Sequence, residues 1–156
     1  MPTSDKDETK RYKERRAERY PGRGEFVMFQ LKKWCDNERE DAPPPIIYAE
    51  VVNISEGGLR LDIPSDKQSG MPPDPTVYHW PPRPSDRIVM LLTGPRLPAP
   101  VRAEGEIVSL ETGDPKGDYR VSLKFVGLSE KLRDMLQVGL VRMQIEVIAS
   151  QKKLKA

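Results

Sequence analysis

Asn53-Ile54-Ser55-Glu56-Gly57-Gly58 is a polar turn between two strand-like runs, and the prediction of the fold starts from it. The run before it, Ile46 to Val52, is rich in β-branched residues. The run after it, Leu59-Arg60-Leu61-Asp62-Ile63, alternates apolar and polar residues with the period of two that is typical of a half-buried strand. Asn53 and Ser55 can satisfy backbone groups of a turn or the edge of a ligand, and the two glycines permit a positive φ and the close approach of another molecule.

The remaining sequence adds four more strand-like runs with no helix between them. The six predicted strands are Glu25 to Trp34, Ile46 to Val52, Leu59 to Ile63, Arg87 to Leu92, Val101 to Glu111 and Tyr119 to Phe125. Proline and glycine separate several of them, and the prolines of segment 64–85 exclude an interior strand over most of its length. Short strands in this order favour an antiparallel sheet rolled into a small barrel, because closure removes exposed edges.

The last part of the sequence has a helical pattern. Ser129 is a good helix cap. Four apolar residues then recur near one helical face: Leu132, Leu136, Leu140 and Met143. We expect this face to pack across the barrel, with a dimer or partner face as the alternative. Residues 144–149 fit either a continued helix or a short extra strand.

Three parts follow from these patterns. Residues 1–24 are predicted to be a flexible basic arm, residues 25–142 a barrel with its C-terminal helix, and residues 143–156 a helix extension or tail. The formal net charge of +2 is too small for bulk attraction to nucleic acid, so no DNA or RNA partner is expected.

Composition also excludes several classes of site. With one cysteine, Cys35, and one histidine, His79, the composition argues against a zinc site built from the usual ligands, and no internal disulfide can form. The sequence contains no apolar run of membrane-spanning length, and its first residues are too charged for a signal peptide, so we predict a cytoplasmic protein. Glu56 and Asp62 lack an accompanying nucleophile or metal cluster, and we therefore predict neither an enzyme nor a bound cofactor.

A second short element lies in the basic arm, at Arg15-Arg16-Ala17-Glu18-Arg19. Arg15 and Arg19 are four residues apart and present rigid, charged forks that suit phosphate oxygens and stack on flat rings. Alone, such a pair is also typical of a solvated tail. Together with the turn at Asn53, it suggests a ligand that carries phosphates and aromatic rings.

With these residues the chain resembles the PilZ domain family, whose members are bacterial receptors for cyclic di-GMP. The RxxxR element of the family matches Arg15 and Arg19, followed by Pro21, and its [D/N]xSxxG element matches Asn53, Ser55 and Gly58. The run from Tyr119 to Ser129 is similar to the end of the family's barrel. The resemblance covers roughly residues 14 to 142 and implies a mainly β fold, a small six-stranded antiparallel β-barrel with a flexible basic N-terminal arm and a C-terminal α-helix.

The resemblance also implies a site for cyclic di-GMP, which the family often binds as a stacked pair. Its predicted ligand-binding residues are Arg15, Arg19, Asn53, Ser55 and Gly58, with Arg16, Arg23 and Gly57 as accessory positions. Arginine suits guanine because it donates to both O6 and N7. In this prediction Gly58 leaves room for the ring. RxxxR spacing also occurs at Arg11 with Arg15 and at Arg19 with Arg23, so the register stays open.

The function predicted from the resemblance is a receptor or adaptor. Ligand binding orders the N-terminal arm and signals to an unidentified effector protein. The alternative is a PilZ-like module that binds a protein and no nucleotide, with Tyr78 and Trp80 in the proline-rich loops as its contact surface. A barrel that binds single-stranded RNA by stacking is a third reading, which only 6% aromatic residues disfavour.

Overall fold

The computed structural model describes residues 18–36, 44–68, 78–113 and 118–155. The elements in these ranges are β1 (Tyr20–Pro21), β2 (Phe26–Leu31), α1 (Lys32–Asp36), β3 (Ile47–Ile54), β4 (Gly58–Ile63), a 3₁₀ turn (Ser65–Lys67), β5 (Arg87–Thr93), β6 (Val101–Thr112), β7 (Tyr119–Val126) and α2 (Glu130–Lys155). All strand pairings are antiparallel.

Six of the strands form a closed barrel. The order along the sheet is β1-β3-β2-β5-β6-β7-β4, and β4 also pairs with β3, which closes the ring. β1 is an extra strand on the same edge of β3 as β2, where Tyr20 lies opposite Ile54 and Pro21 opposite Asn53. The predicted six-stranded antiparallel barrel with a C-terminal helix is therefore confirmed, and strand β1 was not predicted.

Alternation of side chains builds the barrel core. In β2 the buried residues are Val27, Phe29 and Leu31, and in β4 they include Leu59 and Leu61. The residues that alternate with them are more exposed, as the period of two requires. Of the six predicted strands, all but the first agree with the structure to within one or two residues at each end, which is the usual uncertainty of a strand boundary.

The first predicted strand is wrong at its end. The strand stops at Leu31, and Lys32–Asp36 turns into α1. This short helix places Trp34 in the core, where its indole Nε1 donates a hydrogen bond to the carbonyl oxygen of Tyr78 at 2.6 Å. The Trp34 ring also contacts Trp80, with centroids 6.1 Å apart. Tertiary packing of one large ring therefore overrides the local strand pattern.

Helix α2 packs on the barrel as expected. The backbone N–H of Leu132 donates to the Ser129 hydroxyl at 3.3 Å, which confirms the predicted cap. Leu136, Leu140 and Met143 are buried in the core. The helix continues through residues 144–149, so the strand alternative there is wrong. Within the described residues, no helix combines the length and apolar character that crossing a bilayer requires.

Candidate ligand-binding site

The turn between β3 and β4 is held together by Ser55. Its hydroxyl accepts hydrogen bonds from the backbone N–H groups of Gly57 at 3.3 Å and Gly58 at 3.2 Å. Its own N–H donates to the Gly58 carbonyl at 2.9 Å. Ser55 is 4% exposed. In this arrangement the hydroxyl shapes the turn, because its hydrogen bonds are already used within it.

The two glycines of the turn have different environments. A Cβ on Gly58 would lie 2.1 Å from the carbonyl oxygen of Leu123, so close pairing of β4 with β7 requires glycine at this position. A Cβ on Gly57 would meet nothing within 4 Å. Neither glycine has a positive φ. The positive φ that the sequence permits at these two glycines is therefore not adopted. Open space for another molecule lies at Gly57, whereas Gly58 is approached closely by the neighbouring strand β7.

Arg19 and Asn53, which the sequence placed in separate motifs, are in direct contact. The Arg19 guanidinium donates from Nη1 to the Asn53 Oδ1 at 3.0 Å. β1 makes this possible, because Pro21 pairs with Asn53 and brings the preceding residues to the corner of the barrel. Both side chains are at the surface, and the amide nitrogen of Asn53 is a further donor there. Arg15 and Arg16 lie outside the described residues.

The Arg23 side chain lies near helix α2. Its Nη1 lies 3.9 Å from Glu146 Oε2 on α2, and its side chain is 56% exposed. The accessory role of Arg23 stays a prediction.

A buried ion cluster behind β1 was not predicted. Arg96, in the loop between β5 and β6, pairs with Glu25 through Nε at 3.1 Å and also through Nη2. The same Nη2 donates to the carbonyl oxygen of Pro21 at 2.8 Å, and Nη1 donates to Glu146 at 3.0 Å. One guanidinium therefore connects β1, the start of β2 and helix α2. No local pattern announces it, because Glu25 and Arg96 are 71 residues apart.

The electrostatics of this cluster follow from its burial. Burial is the largest influence on the pKa of Glu25 and raises it. The hydrogen bond from Arg96, the backbone N–H of Arg23 and the charge of Arg96 together outweigh burial, so the pKa of Glu25 lies below its usual range. The Arg96 pKa is lowered by burial but raised overall by Glu25 and Glu146. Both groups are therefore charged at neutral pH.

A small cavity lies between the turn and the start of α2. Its volume is about 250 Å³, and its lining includes Glu56, Gly57, Phe125 and Arg133. It opens beside the unobstructed face of Gly57. Within the described part of the chain, no group of three or more acidic, histidine or cysteine side chains is arranged to hold a metal ion.

The surface predicted for the alternative function is partly occupied. Tyr78 and Trp80 pack against the core, and Trp80 contacts Tyr119 edge to face with centroids 5.8 Å apart. These rings stabilise the barrel around Trp34, so they are poorly placed to anchor a partner protein.

The comparisons with known proteins agree on one fold. The model of the PilZ domain matches residues 13–142. The structure of MrkH from K. pneumonia in its apo state has a TM-score of 0.58 at 11% identity, covering 84% of this chain and 51% of that one. No curated protein matches the sequence.

Two structures of YcgR from Escherichia coli extend this comparison. The PilZ domain of YcgR with c-di-GMP has a TM-score of 0.54 at 15% identity, covering 90% of this chain and 98% of that one. YcgR in complex with c-di-GMP has a TM-score of 0.62 at 12% identity, with 89% and 50% coverage. The present chain thus spans about half the length of MrkH and of the longer YcgR chain. At such identities the likeness concerns the fold, whereas the family match covers most of the sequence. The chain therefore belongs to the PilZ domain family.

Proposed function

We propose that this protein is a receptor for cyclic di-GMP. The observation that carries the proposal is the 3.0 Å hydrogen bond between Arg19 and Asn53, which joins the basic arm to the turn after β3 in a chain of the PilZ family. Solved structures of the same fold contain c-di-GMP, namely those of YcgR and of MrkH.

In the proposed complex the arm closes over the corner of the barrel. Arg15 and Arg19 contact phosphates and guanine, because a guanidinium donates to both. Asn53 contacts a base edge, and Gly57 provides the open surface. Ser55 and Gly58 hold the turn in shape. The ligand binds as one molecule or as a stacked pair, and Arg16 is an accessory contact.

Ordering the arm costs free energy, and the pairing of β1 with β3 lowers this cost. Fixing the backbone of one residue costs about 1–2 kcal/mol, and one charge-assisted hydrogen bond returns about 1.5–3 kcal/mol. Because Tyr20–Pro21 is already paired with β3, the ligand has to order only the residues that precede this strand. Arg19 must also exchange its contact with Asn53 for contacts with the ligand.

We further propose that the ordered arm signals to an effector protein through α2. Arg96 binds the Pro21 carbonyl and Glu146, so a shift of β1 acts directly on this helix. The outer face of α2 exposes four apolar side chains, and these are Val138, Val141, Ile145 and Ile148, at 42–59% exposure. Such a row suits a protein partner. The proposed setting is the cytoplasm, and the proposed role is binding without catalysis.

Calorimetric titration tests the receptor function. We expect cyclic di-GMP to bind the wild-type protein, and Arg19→Ala to weaken binding about 10- to 100-fold, the equivalent of one charge-assisted contact. Arg102→Ala is the matched control, because Arg102 is an exposed arginine of β6 paired with Leu91, away from the turn. A wild-type protein that gives no binding signal at ligand concentrations far above the micromolar range would contradict the proposal.

Hydrogen exchange tests the ordering of the arm separately. Amides in residues 10–24 should exchange more slowly with ligand bound, since closure protects them. Equal exchange with and without ligand would refute arm ordering and leave the receptor function standing.

The exposed row on α2 also favours a second candidate, a module that binds a protein and no nucleotide. In that case Ile145→Lys would abolish partner binding, and cyclic di-GMP would have no effect on it. The titration above separates the two functions.

A further inference from the structure

A row of outward-facing polar residues crosses the barrel wall next to Asn53. Asn53 on β3 lies opposite Arg60 on β4, which lies opposite Ser122 on β7, which lies opposite Ser109 on β6. All four residues are partly exposed, and Leu59 and Leu61 beside Arg60 are fully buried. With neighbouring strands about 4.8 Å apart, the row is about 14 Å long. It continues the candidate site away from the arm.

Both ends of this row follow a break in strand register. In β3 the register shifts between Val51 and Asn53, and in β6 it shifts between Ile107 and Ser109. The extra residue of the second break, Val108, is 56% exposed. Such bulges re-aim side chains and are over-represented beside functional sites. The exposed apolar side chain of Val108, beside this polar row, suits contact with the face of a flat ring.

Arg60, in the middle of the row, has unused hydrogen-bonding capacity. Its Nε is buried and has no hydrogen-bond partner among the described residues. Its Nη2 lies 3.8 Å from Glu111 Oε2, which is too far for a hydrogen bond, and the Glu111 side chain is 66% exposed. Arg120, nearby on β7, is in contrast held by Asp62 at 2.7 and 3.2 Å. Unsatisfied buried polar groups are rare and call for an explanation.

The neighbouring charges indicate which part of a ligand belongs at Arg60. The positive charges of Arg60 and Arg120 are balanced here by Glu111 and Asp62, so these four side chains carry no excess positive charge that would favour a phosphate. The edge of guanine combines acceptors at O6 and N7 with a donor amine at N2. A guanidinium beside a carboxylate offers the complementary donors and acceptor. We propose that Arg60 binds the edge of one guanine of cyclic di-GMP, with Val108 and Ser122 beside the ring, while the arm binds the phosphates. This inference rests on the proposed receptor function.

Titrations of Arg60→Gln and Arg60→Lys test the assignment. Arg60→Lys keeps the charge and most of the stem but loses the planar fork. We expect both variants to bind cyclic di-GMP about tenfold more weakly or worse, with Arg102→Gln unchanged as the control. Thermal unfolding of each variant establishes that the barrel is folded.

Ligand specificity and the comparison of the two variants identify the contacted group. A base contact predicts that the variants lose discrimination between cyclic di-GMP and the mixed guanine–adenine cyclic dinucleotide, since adenine replaces O6 by an amine. Weaker binding by Arg60→Gln with discrimination retained, together with wild-type binding by Arg60→Lys, would mean a contact with phosphate charge and would overturn the assignment.

The outcomes separate this inference from the receptor function. If the wild type binds cyclic di-GMP and Arg19→Ala weakens it, while Arg60→Gln behaves like Arg102→Gln, the Arg60 site is wrong and the receptor function stands. If the wild type does not bind, the receptor function itself is wrong.

Discussion

Replacement of Arg96 by methionine should lower the free energy of unfolding by more than the loss of an exposed ion pair does. The change keeps an unbranched apolar stem and removes the guanidinium that binds Glu25, Glu146 and the Pro21 carbonyl. The Glu25 side chain is fully buried and Arg96 is 6% exposed. Removing one partner of a buried ion pair typically costs about 3–5 kcal/mol, because the remaining charge is left uncompensated.

Arg120→Met provides the matched control. Arg120 and Asp62 form a pair with two hydrogen bonds, at 2.7 and 3.2 Å, but their side chains are 44% and 42% exposed. Exposed pairs contribute about 0–1 kcal/mol. Denaturant unfolding of both variants at pH 7 should therefore show a loss several times larger for Arg96→Met.

The loss of stability caused by Arg96→Met should depend on pH. In the wild type the Glu25 pKa is lowered, so its stabilising contribution is present above the unfolded glutamate pKa of about 4.3 and is lost as the pH falls through the folded value. Without Arg96, burial raises the pKa of Glu25 and is opposed by the backbone N–H of Arg23, but no longer by a cation in contact with the carboxylate. The destabilisation by Arg96→Met should then be large at pH 7 and shrink toward pH 4. A loss below about 1 kcal/mol, or one that is equal at both pH values, would refute the uncompensated charge as its cause.

Three further predictions concern the turn and the core. Gly58→Ala should lower stability by more than the 1–3 kcal/mol typical of overpacking, because its Cβ meets the Leu123 carbonyl, while Gly57→Ala should unfold like the wild type. Ser55→Ala should lower the free energy of unfolding by about 1–3 kcal/mol, since two backbone donors of the turn lose their acceptor, and it should weaken ligand binding through the turn's shape. Trp34→Ala should cost about 3–5 kcal/mol in the same denaturant assay, and a loss under 1 kcal/mol would mean that this ring does not support the core.

The role of Ser55 shows where sequence and structure differ. The sequence predicts Ser55 as a ligand-binding residue. In the structure Ser55 is 4% exposed, and its hydroxyl accepts two hydrogen bonds from backbone N–H groups of the turn. A serine in this motif can contact a ligand or hold the turn in shape. The hydrogen bonds in the structure distinguish the two roles, and the sequence does not.

Local patterns were sufficient for most of the barrel. The period-two alternation of β4 and the cap at Ser129 depend on residues close in sequence, and both were predicted. Helix α1 was missed because the packing of Trp34 decides it. The contact of Arg19 with Asn53 spans 34 residues, and the sequence indicated it only through the family resemblance. The Arg96 cluster had no such guide.

Helix α2 extends the folding unit beyond the limits of the family match. That match ends at residue 142, yet the next residue, Met143, is completely buried, and Glu146 shares the Arg96 guanidinium. A fragment trimmed to residues 13–142 would expose an apolar hole and release one anchor of the amino-terminal strand. Experiments on an isolated domain should therefore keep at least the next turn of the helix. A shorter helix lacks Glu146 and would weaken the Arg96 contacts that hold strand β1.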